Sequence, residues 1–255
     1  MKIDKILIAI ATEASVCNDT MMSIYNMKKP KNTETTLCII HSYNIADGRN
    51  QLVDIMLQGD YDYIFFVDSD VVLPQNALDD LYHMQWYFCT GTYPRKELDT
   101  LTRDDPFTTL YRHAEINKTS YCPYFMPFSE LPENQLTQVD CCGFGCVLLR
   151  RDLFEKLDKP YFFFAHEECG PEGSGQPYCI GEDMYFCRQV VQKGLEIWAH
   201  GNVICGHVGN FMYAFRPRDW KEQVQRSQQE QEQSNKQDSR GIDTQQSDNN
   251  NQASE

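Results

Sequence analysis

Basic charge is scarce in this 255-residue chain: 23 lysines and arginines stand against 37 aspartates and glutamates, a formal net charge of −14. Nucleic acids and anionic membranes require a basic footprint, so neither fits as a general partner. From Glu222 onward there are seven acidic and three basic residues, which leaves −10 upstream. The acidity therefore belongs to the body of the chain. Long apolar runs are also lacking. No stretch approaches 18 apolar residues, and no transmembrane segment is expected. The apolar run Ile6–Ala11 is shorter than a signal-peptide core and leads straight into Thr12 and Glu13, so it reads as a first buried strand. Without a secretion signal, the eleven cysteines read as free thiols in a reducing, cytoplasmic setting.

What is present is an alternation of strand and helix patterns. Lys5–Ala11, Thr36–His41 and Tyr63–Val67 are strand-like and are read as buried, and Phe88–Thr92 is read as a fourth strand. Between them, Cys17–Met27, Ala46–Leu57 and Pro74–Trp86 carry helical patterns, the second with Leu52, Val53, Met56 and Leu57 on one face. This order implies a parallel sheet with helices on both faces. Residues 93–140 are interrupted by Pro94, Pro106, Pro123, Pro127 and Pro132 and show no clean period. A second core segment begins at Cys141 (CCGFGCVLL), followed by a short amphipathic helix over Arg151–Leu157. The glycine-rich stretch 168–176 reads as a mobile loop, Glu182–Lys193 as a helix stopped by Gly194, and Leu195–Ala199 as a closing strand. From about Glu222 the chain is glutamine, asparagine, serine and charge, which cannot bury enough surface to fold.

The most informative stretch is YDYIFFVDSDVVL at 61–73, an apolar strand that ends in Asp68 and Asp70. Carboxylates are costly to leave unpaired beside a buried strand. They are hard oxygen ligands suited to Mg²⁺ or Mn²⁺, with a phosphate supplying further oxygens. Ligands of open α/β sheets bind outside the carboxyl ends of the strands, where this pair falls. Arg49 near a helix start is a candidate diphosphate contact, and Arg95 in GTYPRK is another. Glu182 and Asp183 open a later helix, and His207 lies in CGHVG. A zinc site at Cys142 and Cys146 has suitable spacing, but no second pair follows.

Taken in order, NIADGRNQLV, YIFFVDSDVVLP, GTYPRK, CGFGCVLLRRDLF, GEDMYFCRQVVQKGLEIW and CGHVG resemble a family-2-like glycosyltransferase of the GT-A fold. The resemblance covers roughly residues 3–210. It implies a GT-A-type, Rossmann-like α/β domain over 1–218, with a mixed, mostly parallel sheet flanked by helices, then a disordered tail over 219–255. It implies a nucleotide-sugar donor and a divalent cation, Mn²⁺ or Mg²⁺, held by Asp70 and His207, with Asp68 assisting the metal or the donor ribose. Asp183 would be the general base of an inverting reaction and Glu182 its support. Arg49 would lie near the donor, and Gly143 and Gly145 would let the backbone approach the donor sugar. The acceptor, a glycan, protein or small molecule, is not identified. The alternatives are a non-catalytic nucleotide-sugar or glycan-binding protein and a nucleotidyltransferase of related fold.

Overall fold

A computed structural model of the protein describes residues 2–97, 103–113, 123–169, 176–210 and 212–215. The chain opens with β1 (Asp4–Thr12), α1 (Asn18–Asn26), β2 (Thr33–His41), α2 (Ile45–Gln58) and β3 (Tyr63–Val67). It continues through β4 (Val71–Val72), α3 (Ala77–His83) and β5 (Phe88–Thr92), then β6 (Phe107–His113), β7 (Pro123–Pro127), β8 (Leu136–Val139) and β9 (Cys141–Cys142). The remainder is β10 (Cys146–Arg150), β11 (Ala165–Cys169), β12 (Gln176–Ile180), α4 (Glu182–Gln192), β13 (Ile197–Ile204), β14 (Gly206–Val208) and β15 (Met212–Tyr213). The chain divides at Phe215, and its second unit, Arg216–Glu255, lies outside the described residues, as does the centre of the expected glycine-rich loop, 170–175.

Seven strands form the main sheet in the order β2-β1-β3-β10-β5-β13-β8. β2, β1, β3, β5 and β13 run one way, while β10 and β8 run against their neighbours. The sheet is thus mixed and mostly parallel, and β10 is the reversed strand that a plain βαβ reading does not anticipate. Side chains alternate across it with a period of two. Leu7, Ala9, Ile64 and Phe66 join one core with Leu52, Val53 and Met56 of α2 and Phe186 and Val190 of α4. Ile6, Ile8, Ile10, Phe65 and Val67 join another, on the face covered by Ile24 of α1 and Leu78 and Leu81 of α3. β3 is buried along its whole length, which accounts for its unbroken apolar run.

Local chemistry sets the helix ends. Asn44 Oδ1 accepts from the Ala46 amide at 2.9 Å and starts α2. At the other end, the Arg151 guanidinium donates to the carbonyls of Met56, Leu57, Gly59 and Tyr61 at 2.6–3.0 Å. This satisfies the orphan acceptors of the helix and complements its dipole. α4 ends at Gly194, whose φ of +72° suits a residue without a Cβ.

Several expectations change. β2 alternates between half-buried and exposed positions and lies at the sheet edge, with Leu37 and Ile39 exposed, so its apolar residues do not mark a fully buried strand. The helix expected over Pro74–Trp86 forms only as Ala77–His83. The amphipathic helix expected at Arg151–Leu157 is a single 3₁₀ turn over Arg151–Leu153. The closing strand is longer than expected, reaching Ile204. The proline-broken region contributes β6 and β7, which form a small antiparallel sheet with β9, and β8 on the edge of the main one. Among the described residues no helix is long and apolar enough to cross a membrane.

Candidate active site

β1 and β3 run parallel, so the residues that follow them emerge at the same edge of the sheet. There the Asp68–Asp70 turn is pinned by its backbone. The Asp68 amide donates to the Gly145 carbonyl at 3.4 Å, and the Ser69 and Asp70 carbonyls accept from Cys17 at 2.7 Å and Val208 at 2.8 Å. Beneath it opens a cleft of about 440 Å³, lined by Thr12, Glu13, Arg49, Asp68, Asp70 and His207 among others.

Antiparallel pairing of β4 with β14 sets His207 opposite Val71 and so brings the imidazole to Asp70. His207 Nε2 lies 3.5 Å from Asp70 Oδ1. On the far side of the ring, Nδ1 lies 2.9 Å from the Pro94 carbonyl oxygen. A carbonyl only accepts, so Nδ1 carries a hydrogen and Nε2 is the nitrogen turned toward Asp70. Lys96 Nζ ion-pairs with the other Asp70 oxygen, Oδ2. Burial pushes the Asp70 carboxyl up, but the contacts with His207 and Lys96 outweigh it and hold the group below the ordinary carboxylate range.

Asp68 is held differently. Its Oδ1 accepts from Arg49 Nη2 at 2.7 Å, while Arg49 Nη1 donates to Glu182 Oε1. The guanidinium is buried and lies 5.2 Å from the Phe144 ring centroid and 5.8 Å from that of Phe162. Stacking on aromatic faces and bridging two carboxylates fits a planar, permanently charged group. Asp183 sits in the first turn of α4, with Oδ1 accepting from the Met184 amide at 2.7 Å. Burial and the adjacent Glu182 charge raise its pKa to about 6 despite the Arg49 charge. Asp183 is not among the residues that line the cleft; Glu182 and Arg49 link it to Asp68.

Gly143 and Gly145 make room for Tyr93. A Cβ at Gly143 would lie 2.4 Å from the Tyr93 hydroxyl oxygen, and one at Gly145 would lie 2.7 Å from the ring and 2.7 Å from Val71. Tyr93 accepts from the Gly145 amide at 3.0 Å and donates to Asp68 Oδ2 at 3.4 Å. Arg95 does not line the cleft. Its guanidinium lies over the Phe125 ring at 3.6 Å and pairs with Glu97. Within GTYPRK, the cation that reaches Asp70 is Lys96.

Tyr93 and Lys96 were missed from the sequence. Through Tyr93, the Pro94 carbonyl and Lys96, one four-residue segment touches Asp68, His207 and Asp70 in turn. Its only signal was proximity to the proposed phosphate arginine. Among the described residues, no three histidine, cysteine, aspartate or glutamate side chains converge as a metal cluster, so neither the cysteine site nor a complete Asp68–Asp70–His207 triad is formed. Asp70 and His207 do fit as two ligands. At 3.5 Å from each other, they are close enough that both would reach one cation. The Pro94 carbonyl that orients the imidazole is the kind of outer partner that ligating histidines use.

The mixed sheet, its flanking helices and the site at its carboxyl edge together form a GT-A-type α/β fold. No family model matches the chain, and no curated protein matches it by sequence. Solved structures do. A197 from STIV is similar at 18% identity with a TM-score of 0.52, over 84% of this chain and 95% of that one. GalNAc-T7, a GT-A glycosyltransferase crystallised with UDP, GalNAc and Mn²⁺, is similar at 10% identity with a TM-score of 0.50. That match covers 84% of this chain and 45% of the other, so the chain spans under half its length. Similarity at these identities shows the fold.

Proposed function

We propose that this protein is a metal-dependent glycosyltransferase that moves a sugar from a nucleotide-diphosphate donor to an acceptor hydroxyl. The observation that carries this reading is the Asp70–His207 pair, facing each other at 3.5 Å at the carboxyl edge of a GT-A-type sheet. A bound Mn²⁺ or Mg²⁺ would supply charge stabilisation for the departing diphosphate. Asp70 and His207 would hold it. Asp68 would position rather than ligate, because Arg49 and Tyr93 already occupy its oxygens. Arg49 would keep Asp68 and the start of α4 at a fixed separation, with Glu182 as its second anchor. Asp183, with a pKa of about 6, would be ionised near neutrality and able to take the acceptor proton, a general-base role. The free, buried cysteines, such as Cys141, Cys142 and Cys187, support a reducing, cytoplasmic setting.

The test is donor hydrolysis with Mn²⁺ and a panel of nucleotide sugars, comparing the wild type with Asp70→Ala. The expected result is slow metal-dependent hydrolysis of one donor, abolished with donor binding in the variant. Full turnover by the variant in EDTA would overturn the reading. Binding without hydrolysis, even with candidate acceptors, would favour the non-catalytic alternative.

A further inference from the structure

Lys96 has no part in the function proposed above, yet it occupies the residue on which that function depends. We propose that Lys96 is an internal counter-cation: its ammonium holds Asp70 until a divalent cation displaces it, and then moves to the donor diphosphate. The inference rests on the metal-dependent reading and deepens it by assigning this residue two successive partners.

Four observations support it. Lys96 takes Oδ2 of Asp70 while Oδ1 faces His207, so the ammonium blocks one oxygen of the candidate metal ligand. Both partners are open to solvent, with side chains 33% and 37% exposed. A lysine is a point charge on a rotatable four-carbon stem, so it can leave one anion for another. Arg49, the cation that lines the cleft, cannot, because its side chain is 5% exposed and shared between Asp68 and Glu182. Its charge is committed to those carboxylates, whereas the Lys96 ammonium, on the cleft residue Asp70, is placed to meet a diphosphate.

An ammonium and a divalent cation touching the same carboxylate repel each other strongly, so metal binding and the Lys96 contact compete. Once displaced, the ammonium remains tethered to the segment whose Pro94 carbonyl holds His207. It is therefore within a side chain's reach of phosphate oxygens gathered at the same cation.

The experiment titrates MnCl₂ into the metal-free full-length wild type, Lys96→Met and Lys96→Arg, following free Mn²⁺ by electron paramagnetic resonance. It then titrates inorganic pyrophosphate in the presence of Mn²⁺ by calorimetry. Removing one competing unit charge is expected to tighten Mn²⁺ binding in Lys96→Met about tenfold, with Lys96→Arg close to the wild type. Pyrophosphate should then bind Lys96→Met about tenfold more weakly, for loss of the same charge. Equal Mn²⁺ affinity in all three proteins, or unchanged pyrophosphate affinity in Lys96→Met, would overturn the role of Lys96 and leave the glycosyltransferase reading standing. Failure of Mn²⁺ to bind any of the three would overturn both.

Discussion

Asp68 and Asp70 lie one residue apart on the same turn, yet the protein treats them as different kinds of group. Asp68 faces a buried arginine that also binds Glu182 and rests on Phe144 and Phe162. Asp70 faces a half-exposed lysine and a histidine whose outer nitrogen is fixed by a backbone carbonyl. The first arrangement is rigid, with one buried guanidinium shared by two carboxylates. The second is open and exchangeable. The family resemblance assigns the metal to Asp70 and an assisting role, to the metal or the donor ribose, to Asp68. Here the turn leaves both carboxylates at the cleft, Asp68 tied to a buried arginine and Asp70 to a partly exposed lysine.

The largest effect should come from breaking the rigid half. Arg49→Met leaves the buried Glu182 and the partly exposed Asp68 without their shared cation, and loss of one partner of a buried ion pair costs about 3–5 kcal/mol. Urea unfolding should show that loss, and a change below about 1 kcal/mol would mean the network is not an anchor.

Asp183→Asn tests the base at the far end of the same network. Turnover should fall by about 10²–10⁴-fold, the range for losing a positioned proton acceptor. In the wild type, activity should decline as pH drops through about 6, where Asp183 protonates. The stability sign runs the other way. A carboxylate whose folded pKa lies above its unfolded value destabilises the fold when ionised, so the variant should melt higher than the wild type at pH 7.5 and equally near pH 4. A variant that melts lower at pH 7.5 would contradict the assigned shift.

Smaller effects sharpen the comparison. Gly145→Ala puts a Cβ against the Tyr93 ring and Val71, and overpacking of this kind costs about 1–3 kcal/mol by denaturant titration. Because Tyr93 reaches Asp68, the cost falls on the rigid half. Lys96→Met, on the open half, should leave stability within about 0.5 kcal/mol, as an exposed ion pair contributes little. A larger drop would place Lys96 in the framework and remove the contrast.

Much of the fold was legible because its central strands are buried on both faces and advertise it. YIFFV after an acidic turn and before a proline-started helix leaves few readings, and β1 and β5 are nearly as plain. The reversal of β10 was not legible, since a buried apolar run looks the same in either direction. Nor was the edge position of β2, where Leu37 and Ile39 are exposed and Cys38 and Ile40 half-buried. In the site, the residues named from motifs at strand and helix ends, Arg49, Asp68, Asp70, Glu182, Asp183 and His207, do gather into two linked clusters. Tyr93 and Lys96 escaped notice because their position depends on long-range pairing. The Pro94–Thr108 bridge and the β4–β14 ladder bring the segment to the Asp-x-Asp turn, and neither leaves a periodic trace.

The central claim is the division of labour between the two aspartates, and Mn²⁺ titration of Asp70→Asn and Asp68→Asn tests it most directly. The account predicts that Asp70→Asn abolishes binding, while Asp68→Asn retains it within a few-fold and melts at a lower temperature. Equal loss of Mn²⁺ binding in both variants, or loss in Asp68→Asn alone, would contradict it.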